Sequence, residues 1–406
     1  MRKTYGSASN TGALTARPIT KCTKKSKPPL SRLISTISAS IPASSARKRW
    51  WKFIWTKRNQ RNMNIQQIQQ IMRDKAFPDD AFAPRLIETH ISWLILTDRY
   101  AFKIKKPQRF SFLDFSTLSL RRYYCRRELL LNARLAPDMY IRVLPVMQEG
   151  EQLSIGGKTG QVVDYALQMK RMDTRRQMDQ MMERGEVQEQ HLLALAEVLA
   201  DFHANTRVLN PVLSLKNMRR DFNDIRQIIP FLQSFGQKSL KSIIERALSL
   251  SDQFLSEHFD LLERRIDEGF VRDGHGDLHT GNIFLYAPPV VFDCVEFNDE
   301  LRQIDVLNDI AYLCMDLDAQ GHSELASVFL QHYLSKFPAI GSHAEHQLFV
   351  YYKLYRANVR AKVLMLRAMG TGSYEEANAC AMQAGKYIHL MQEYLEQFNH
   401  LHLVSL

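Results

Sequence analysis

Val271-Arg272-Asp273-Gly274-His275-Gly276-Asp277-Leu278-His279-Thr280-Gly281-Asn282-Ile283-Phe284-Leu285, followed by Val290-Val291-Phe292-Asp293-Cys294-Val295-Glu296-Phe297, decides how this 406-residue chain is read. Asp277 and Asn282 stand five residues apart in a loop punctuated by glycines. Asp293 closes an apolar run eleven residues beyond Asn282. Two carboxylates and one amide are hard oxygen donors, and few of them. That is the set Mg²⁺ takes when phosphates and waters complete its shell. An isolated His-Gly-Asp would say little. The full string with its downstream Asp is specific, because a turn that merely caps its own backbone needs no such partner.

The H-G-D-x-x-x-x-N pattern, a short hairpin and an apolar strand ending in Asp resemble the aminoglycoside phosphotransferase family, relatives of the protein kinases. Within it, an uncharacterised bacterial branch is the best match, covering the chain from about residue 63 onward. The resemblance implies an α+β, protein-kinase-like two-lobed fold with ATP and Mg²⁺ as cofactors. The small β-sheet N-lobe would carry one helix, and the C-lobe would be mostly helical. Phosphoryl transfer asks the protein mainly for positioning and charge neutralisation. Asp277 would then orient the acceptor hydroxyl and take its proton, while Asn282 and Asp293 hold the metal. His275 is expected to anchor the loop, Glu296 to assist at the metal, and Asp309 to accept hydrogen bonds from the loop backbone.

The N-terminal half supplies the matching parts. Tyr100-Ala101-Phe102-Lys103-Ile104-Lys105 places Lys103 two residues after a small side chain, as in the kinase V-A-I-K strand, with Lys105 the competitor on the same face. Glu128 is the only acid on the helix expected from Ser116 or Thr117 to about Ala136, amid Arg121, Arg122, Arg126 and Arg127. It suits an ion pair with the strand lysine, against a solvated glutamate offset by its neighbours. Where a kinase has its glycine loop, this chain has Thr89-His90-Ile91-Ser92. Ser92, Thr89 or backbone N–H groups would meet the phosphates there. Adenine is expected at the hinge Met169-Lys170-Arg171-Met172. Gly156-Gly157-Lys158-Thr159 imitates the end of a P-loop, but Gln152 stands where the first glycine belongs and no helix follows.

Secondary structure follows from the periodicities. A short helix is expected over 64 to 76, strands over 86 to 96, 99 to 105, 139 to 146 and 161 to 170, and a tight turn at Thr97-Asp98. Leu192, Leu195, Leu199 and Phe202 recur at helical spacing. Further helices are expected over 214 to 267, 301 to 335 and 345 to 396, with a β-rich island at 270 to 295. The organisation reads as an extension (1–62), a nucleotide-binding lobe (63–172) and a helical catalytic and substrate lobe (173–406).

Charge narrows the partners. The chain carries a net +11, yet residues 1–62 hold 15 of its 54 Lys and Arg and none of its 43 acids. The remainder is mildly acidic, so no nucleic-acid partner is expected. The extension reads as disordered, and three readings stay open: an upstream mis-start before Met63, a targeting segment, or a working basic tail. Five scattered cysteines argue against disulfides or zinc and fit a reducing cytoplasm. No apolar run approaches the roughly 18–20 residues needed to cross a bilayer.

The acceptor is expected to be a small molecule. Lys353, Arg356 and Arg360 share one face of the helix predicted from residue 345, with Lys362 nearby. Arg356 and Arg360 are therefore expected to bind an anionic acceptor, against the plainer reading of a solvated basic stripe. Two other functions stay open: a kinase-like enzyme acting on a macromolecule, and a nucleotide-binding regulator without turnover. The oligomeric state does not follow from the sequence.

Overall fold

The computed structural model describes residues 62–79, 83–110 and 113–404. The extension and Cys22 therefore lie outside the described residues. The first helix, α1 (Ile65–Arg73), begins at a capping box in which Asn64 accepts the Gln67 N–H and the Gln67 side chain accepts the Asn64 N–H. Its buried Ile68 and Ile71 lie against the first face of a six-stranded sheet. The strands are β1 (Arg85–Glu88), β2 (Ser92–Leu96), β3 (Tyr100–Lys105), β4 (Tyr140–Glu149), β5 (Gln152–Ile155) and β6 (Gln161–Lys170), in the order β1-β2-β3-β6-β4-β5.

Two differences from the sequence expectation appear here. The run 86–96 is a hairpin, not one strand. Thr89 breaks it by accepting the Ser92 N–H on its hydroxyl (2.9 Å) and donating that hydroxyl to the Ser92 carbonyl (3.1 Å). The four-residue β5 forms where only a turn was expected; with Leu153 and Ile155 buried, it pairs β4.

Strand alternation sorts the two faces of the sheet. Trp93, Ile95, Phe102 and Ile104 pack toward α1. Register pairs Ser92 with Lys105, Leu94 with Lys103 and Leu96 with Ala101, so these six share the opposite face. On that face lies α2 (Leu118–Asn132), N-capped by Thr117. A buried ion pair docks it: Arg121 Nε donates to both Asp164 oxygens, at 2.8 and 3.0 Å.

The remaining chain is largely helical. Its helices are α3 (Met178–Glu183), α4 (Glu189–Asn205), α5 (Leu215–Asn223), α6 (Ile229–Ser234), α7 (Leu240–Glu257), α8 (Phe259–Asp267), α9 (Val306–Ala319), α10 (Ser323–Lys336), α11 (His343–Gly370) and α12 (Tyr374–Val404). The predicted stripe Leu192, Leu195, Leu199 and Phe202 is the buried face of α4. The long helical runs are interrupted, the last of them at Thr371-Gly372-Ser373. Within this lobe β7 (Val271–Asp273) pairs β10 (Gln303–Asp305), and β8 (Ile283–Phe284) pairs β9 (Val290–Val291). The architecture is the expected two-lobed α+β arrangement. No described helix is long and apolar enough to cross a membrane.

One buried cation ties the helical lobe together beneath the β7–β10 pair. Arg265 on α8 is fully buried and donates to both oxygens of Asp305 (2.5 and 3.0 Å), to Glu345 (3.0 Å) and to the Ala339 carbonyl (2.9 Å). Removing one member strands the others without water. Arg265→Met is expected to cost about 3–5 kcal/mol in urea unfolding, with a loss under 1 kcal/mol contradicting this account.

Candidate active site

The site begins on β3. Lys103 Nζ donates to Glu128 Oε1 on α2 at 2.8 Å and to Asp293 Oδ1 at 2.6 Å. Lys105, two residues on and on the same face, donates to Glu128 Oε2 at 2.5 Å and also to Glu296. Two ammonium groups thus hold three carboxylates, in surroundings where Lys105, Glu128 and Glu296 are all buried. Burial opposes both lysine charges, yet the carboxylates more than reverse it and raise both lysine pKa values. Glu128 is held low: burial raises it, and the two lysines overcome that. Glu296 goes the other way, because burial and the nearby Glu128 outweigh Lys105.

Asp293 reaches this cluster from below, on a backbone in the left-handed region (φ 62°) that few residues other than glycine adopt. Its N–H donates to the Tyr140 hydroxyl at 3.1 Å. The next N–H, of Cys294, donates to Asn132 at the end of α2 (2.9 Å). Asp293 is therefore fixed to the sheet, to α2 and to the lower lobe together. The β8–β9 hairpin brings Asn282 close, since the Phe292 N–H donates to the Asn282 carbonyl at 3.0 Å. Asn282 Nδ2 in turn donates to the Asp277 carbonyl (3.0 Å) and to Asp277 Oδ2 (3.2 Å).

The loop that holds Asp277 hangs from α9. Buried Asp309 accepts the N–H groups of His275 (2.6 Å) and Gly276 (2.9 Å), and its Oδ2 lies 3.3 Å from His203 Nε2. Burial raises the Asp309 pKa, but His203 and His275 bring it well below the usual carboxylate range. His275 donates from Nε2 to the Phe292 carbonyl (2.9 Å) and accepts the Asp277 N–H on Nδ1 (3.3 Å). Burial lowers its pKa, and the neutral tautomer fits both bonds. Gly276 needs its glycine: φ is +85°, and a Cβ would come within 2.7 Å of the Leu301 carbonyl oxygen.

His279 is the functional candidate that sequence reasoning passed over, although it stands inside the quoted string. Its Nε2 lies 3.6 Å from Asp277 Oδ2. Burial would raise the Asp277 pKa, but His279 first, then Arg360 and His275, hold it well below the ordinary range. In return Asp277 lifts His279, against a burial effect that alone would lower it.

Several expected residues sit elsewhere than foreseen. Arg356 is buried and turned into the loop, donating to Asn308 Oδ1 (2.7 Å), the Asn308 carbonyl (3.2 Å) and the Gly276 carbonyl (3.2 Å). Its expected place against an acceptor is corrected to a tether beneath Asp277. Glu296 is buried on Lys105. Ser92 is fully buried, and its hydroxyl has no hydrogen-bond partner among the described residues. Met169 lies in the apolar cluster of the cleft face, with Ala101, Leu167 and Phe284. The Lys170 N–H is bonded to the Met139 carbonyl (2.7 Å) and is not open to a base. Gly156-Gly157-Lys158-Thr159 joins two strands, with Thr159 donating to Glu149 at 2.5 Å.

Residues 155–346 match the Phosphotransferase enzyme family. Uncharacterized proteins of Mycobacterium tuberculosis and Mycobacterium bovis are each 34% identical over 282 residues, spanning 69% of this chain and 54% of theirs. The chain thus spans about half the length of the curated relatives it matches. A choline/ethanolamine kinase family protein from Mesorhizobium loti superposes with a TM-score of 0.46 at 10% identity, covering 83% of this chain and 98% of that one. A spectinomycin phosphotransferase in complex with ADP and spectinomycin gives 0.42 at 11% identity, covering 80% and 98%. The resemblance drawn from the sequence to the aminoglycoside phosphotransferase-like family is borne out.

The Asp277–His279 pair fixes a pH response. The raised His279 pKa means its stabilising charge is fully present below pH 6.5 and is lost as pH rises through the folded value. An NMR titration of its imidazole is expected to show a midpoint above 6.5, falling below 6.5 in Asp277→Asn, where burial is left to dominate. An unchanged midpoint would show that the two side chains do not interact.

Proposed function

We propose that this phosphotransferase-family chain moves the γ-phosphate of ATP to a hydroxyl of a small-molecule acceptor, with Mg²⁺ at the phosphates. The single observation that carries the reading is Lys103 bridging Glu128 and Asp293, with Asp277 and Asn282 joined at the base of the same hairpin. These residues fit a metal–nucleotide group by their chemistry. Among the described residues no three His, Cys, Asp or Glu side chains form a metal site of their own, whereas Asp293 and Asn282 are the sparse oxygen donors that suit Mg²⁺ shared with phosphates. Bound there, the ion would neutralise charge between the β- and γ-phosphates.

The other roles fall to the chain itself. Lys103, kept charged and aimed by Glu128, meets the α- and β-phosphates. Leu94 and Ala101 from above and Phe284 from below enclose the adenine ring within the cleft-face apolar cluster. The Met172 N–H, which makes no hydrogen bond among the described residues, is the hinge donor left for the base. Ser92 Oγ, buried and unpartnered, faces the same side of the sheet as both lysines. Asn282 Nδ2 is engaged by Asp277, which leaves its Oδ1 for the metal. Asp277 orients the acceptor hydroxyl. A carboxyl held so far below its ordinary pKa stays ionised and is a weak base, so its part is to accept the hydroxyl's hydrogen bond and take the proton only once the O–P bond has formed.

Coupled ADP-release assays on the full chain test this. Turnover is expected to require Mg²⁺ and to be abolished by EDTA. Asp277→Ala is expected to lower kcat by about 10²–10⁴-fold with nucleotide affinity retained. Asp293→Ala is expected to weaken Mg²⁺-dependent nucleotide binding itself. Wild-type turnover in both variants would refute the assignment.

A further inference from the structure

Five Lys and Arg side chains lie along α11, and the fold engages four of them, Arg367 through Glu376 at 3.2 Å. Lys353 donates to Asp318 at 3.1 Å, Arg356 holds Asn308 and the Gly276 carbonyl, and Lys362 donates to the Asp221 carbonyl at 2.7 Å. Arg360 differs. It makes no ion pair among the described residues, and its Nε has no hydrogen-bond partner there. Its one bond is a long donation from Nη2 to the Tyr387 hydroxyl (3.4 Å), with the guanidinium 5.4 Å from the centre of that ring.

A guanidinium drawn out of water without a carboxylate is unfavourable unless something else supplies the charge. Asp316 favours the Arg360 charge and is linked to it through Tyr387, whose hydroxyl accepts from Arg360 and donates to Asp316, but it makes no direct bond to the guanidinium among the described residues. Asp316 accepts the Thr280 N–H (3.0 Å), the Thr280 hydroxyl (2.7 Å), Gln320 (3.3 Å) and the Tyr387 hydroxyl (3.2 Å). Asp277 is close enough for Arg360 to act on its charge, but its carboxylate serves Asn282 and His279. Arg360 lies one turn from Arg356, which holds the Gly276 carbonyl, and its partner Tyr387 is bonded to the Asp316 that holds Thr280, so it stands at the Asp277 loop with an open edge.

The same helix also reaches the N-terminal sheet. Ten residues beyond Arg360, about 15 Å along the axis, Gly370 meets the turn between β1 and β2. A Cβ on it would lie 3.2 Å from His90 Cε1. The helix bearing Arg360 thus touches the turn on the phosphate side.

We infer that Arg360 is the anion-binding residue of the acceptor site, and that the acceptor is a small hydroxylated anion. Its carboxylate or phosphate sits on the Arg360 fork while its hydroxyl lies at Asp277. The inference rests on the reading of Asp277 given above and adds the acceptor class. A planar guanidinium takes either anion through paired N–H bonds, and Tyr387 supports it through ring and hydroxyl. In the reaction the acceptor oxygen bonds to the γ-phosphorus as the bond from that phosphorus to the β,γ-bridging oxygen breaks. ADP leaves with that electron pair, the hydroxyl proton passes to Asp277, and the product carries two anionic groups. A cationic acceptor would instead use Asp179 on α3, half-buried and facing Gly281 and His279.

The test uses the full chain with Mg²⁺, ATP and matched acceptors: glycerol, glycerate, glycerol phosphate and aminopropanediol, then larger sets of the same four classes. Transfer is expected to an anion-bearing class, with kcat/KM about 100-fold above the neutral and amino counterparts. Comparison of the hydroxycarboxylate and phosphomonoester arms identifies which anion is used. Arg360→Gln is expected to raise KM for that acceptor about 30-fold while kcat changes far less, with Arg360→Lys recovering part. Should Arg360→Gln fail to fold, Tyr387→Phe, which keeps the ring, is expected to raise the same KM several-fold. Preference for neutral or amino acceptors, or no transfer to any anion-bearing alcohol, overturns the inference. Binding of Mg²⁺·ADP to the wild-type chain, followed by calorimetry, separates the two readings: without it the proposed function falls too, and with it only the acceptor class is at fault.

Discussion

Two lysines on one strand face, spaced two residues apart, hold three carboxylates from two other parts of the chain. Glu128 comes from α2, and Asp293 and Glu296 come from the segment after β9. Five charges in so little water are costly one by one and tolerable only together. The cluster therefore fixes how the sheet, its helix and the lower lobe meet. Lys105 and Glu296 are its less obvious half. By occupying the second oxygen of Glu128, Lys105 turns the first toward Lys103. Glu296 is the acid whose pKa rises, because its burial and the nearby Glu128 outweigh Lys105. A movable α2 would have to break three ion pairs at once, those of Glu128 with Lys103 and Lys105 and that of Arg121 with Asp164, so the sheet side of the cleft is built assembled.

The reaction loop is held by a separate device. Asp309 grips two consecutive loop N–H groups, His203 backs Asp309, and the Tyr333 hydroxyl lies 2.8 Å from the far nitrogen of His203. Arg356 takes the Gly276 carbonyl from the other side. The loop backbone is thus satisfied from α4, α9, α10 and α11, which leaves the Asp277 carboxylate to its neighbours: Asn282 donates to it, and against a burial that would raise its pKa other groups hold it down. His279 and Arg360 do that.

Most of this was legible in the sequence because the chemistry is local. The loop and hairpin carry Asp277, Asn282 and Asp293 within seventeen positions, and strand alternation places Lys103 beside Ala101 on the cleft face. Glu128 stood out as the only acid on a basic helix. What was not legible depends on long-range neighbours. Arg356 and Arg360 differ by one helical turn, and only the position of Asn308 tells that the first is a tether. Arg121, one of the basic neighbours of Glu128, is removed from the comparison by Asp164, 43 residues away. The division of residues 86–96 rests on one threonine hydroxyl, which no periodicity registers. Lys105 was weighed only as a rival to Lys103, whereas the structure uses both.

The central claim is that the Lys103–Asp293 contact marks the seat of a metal-bound triphosphate. A crystal structure of the full chain with Mg²⁺ and a non-hydrolysable ATP analogue tests it most directly. The account predicts Lys103 moved onto the α- and β-phosphates with Glu128 still attached, and metal within about 2.0–2.2 Å of Asp293 and Asn282 oxygens. Nucleotide bound away from this cleft, or a Lys103–Asp293 pair left closed beneath it, would contradict the account.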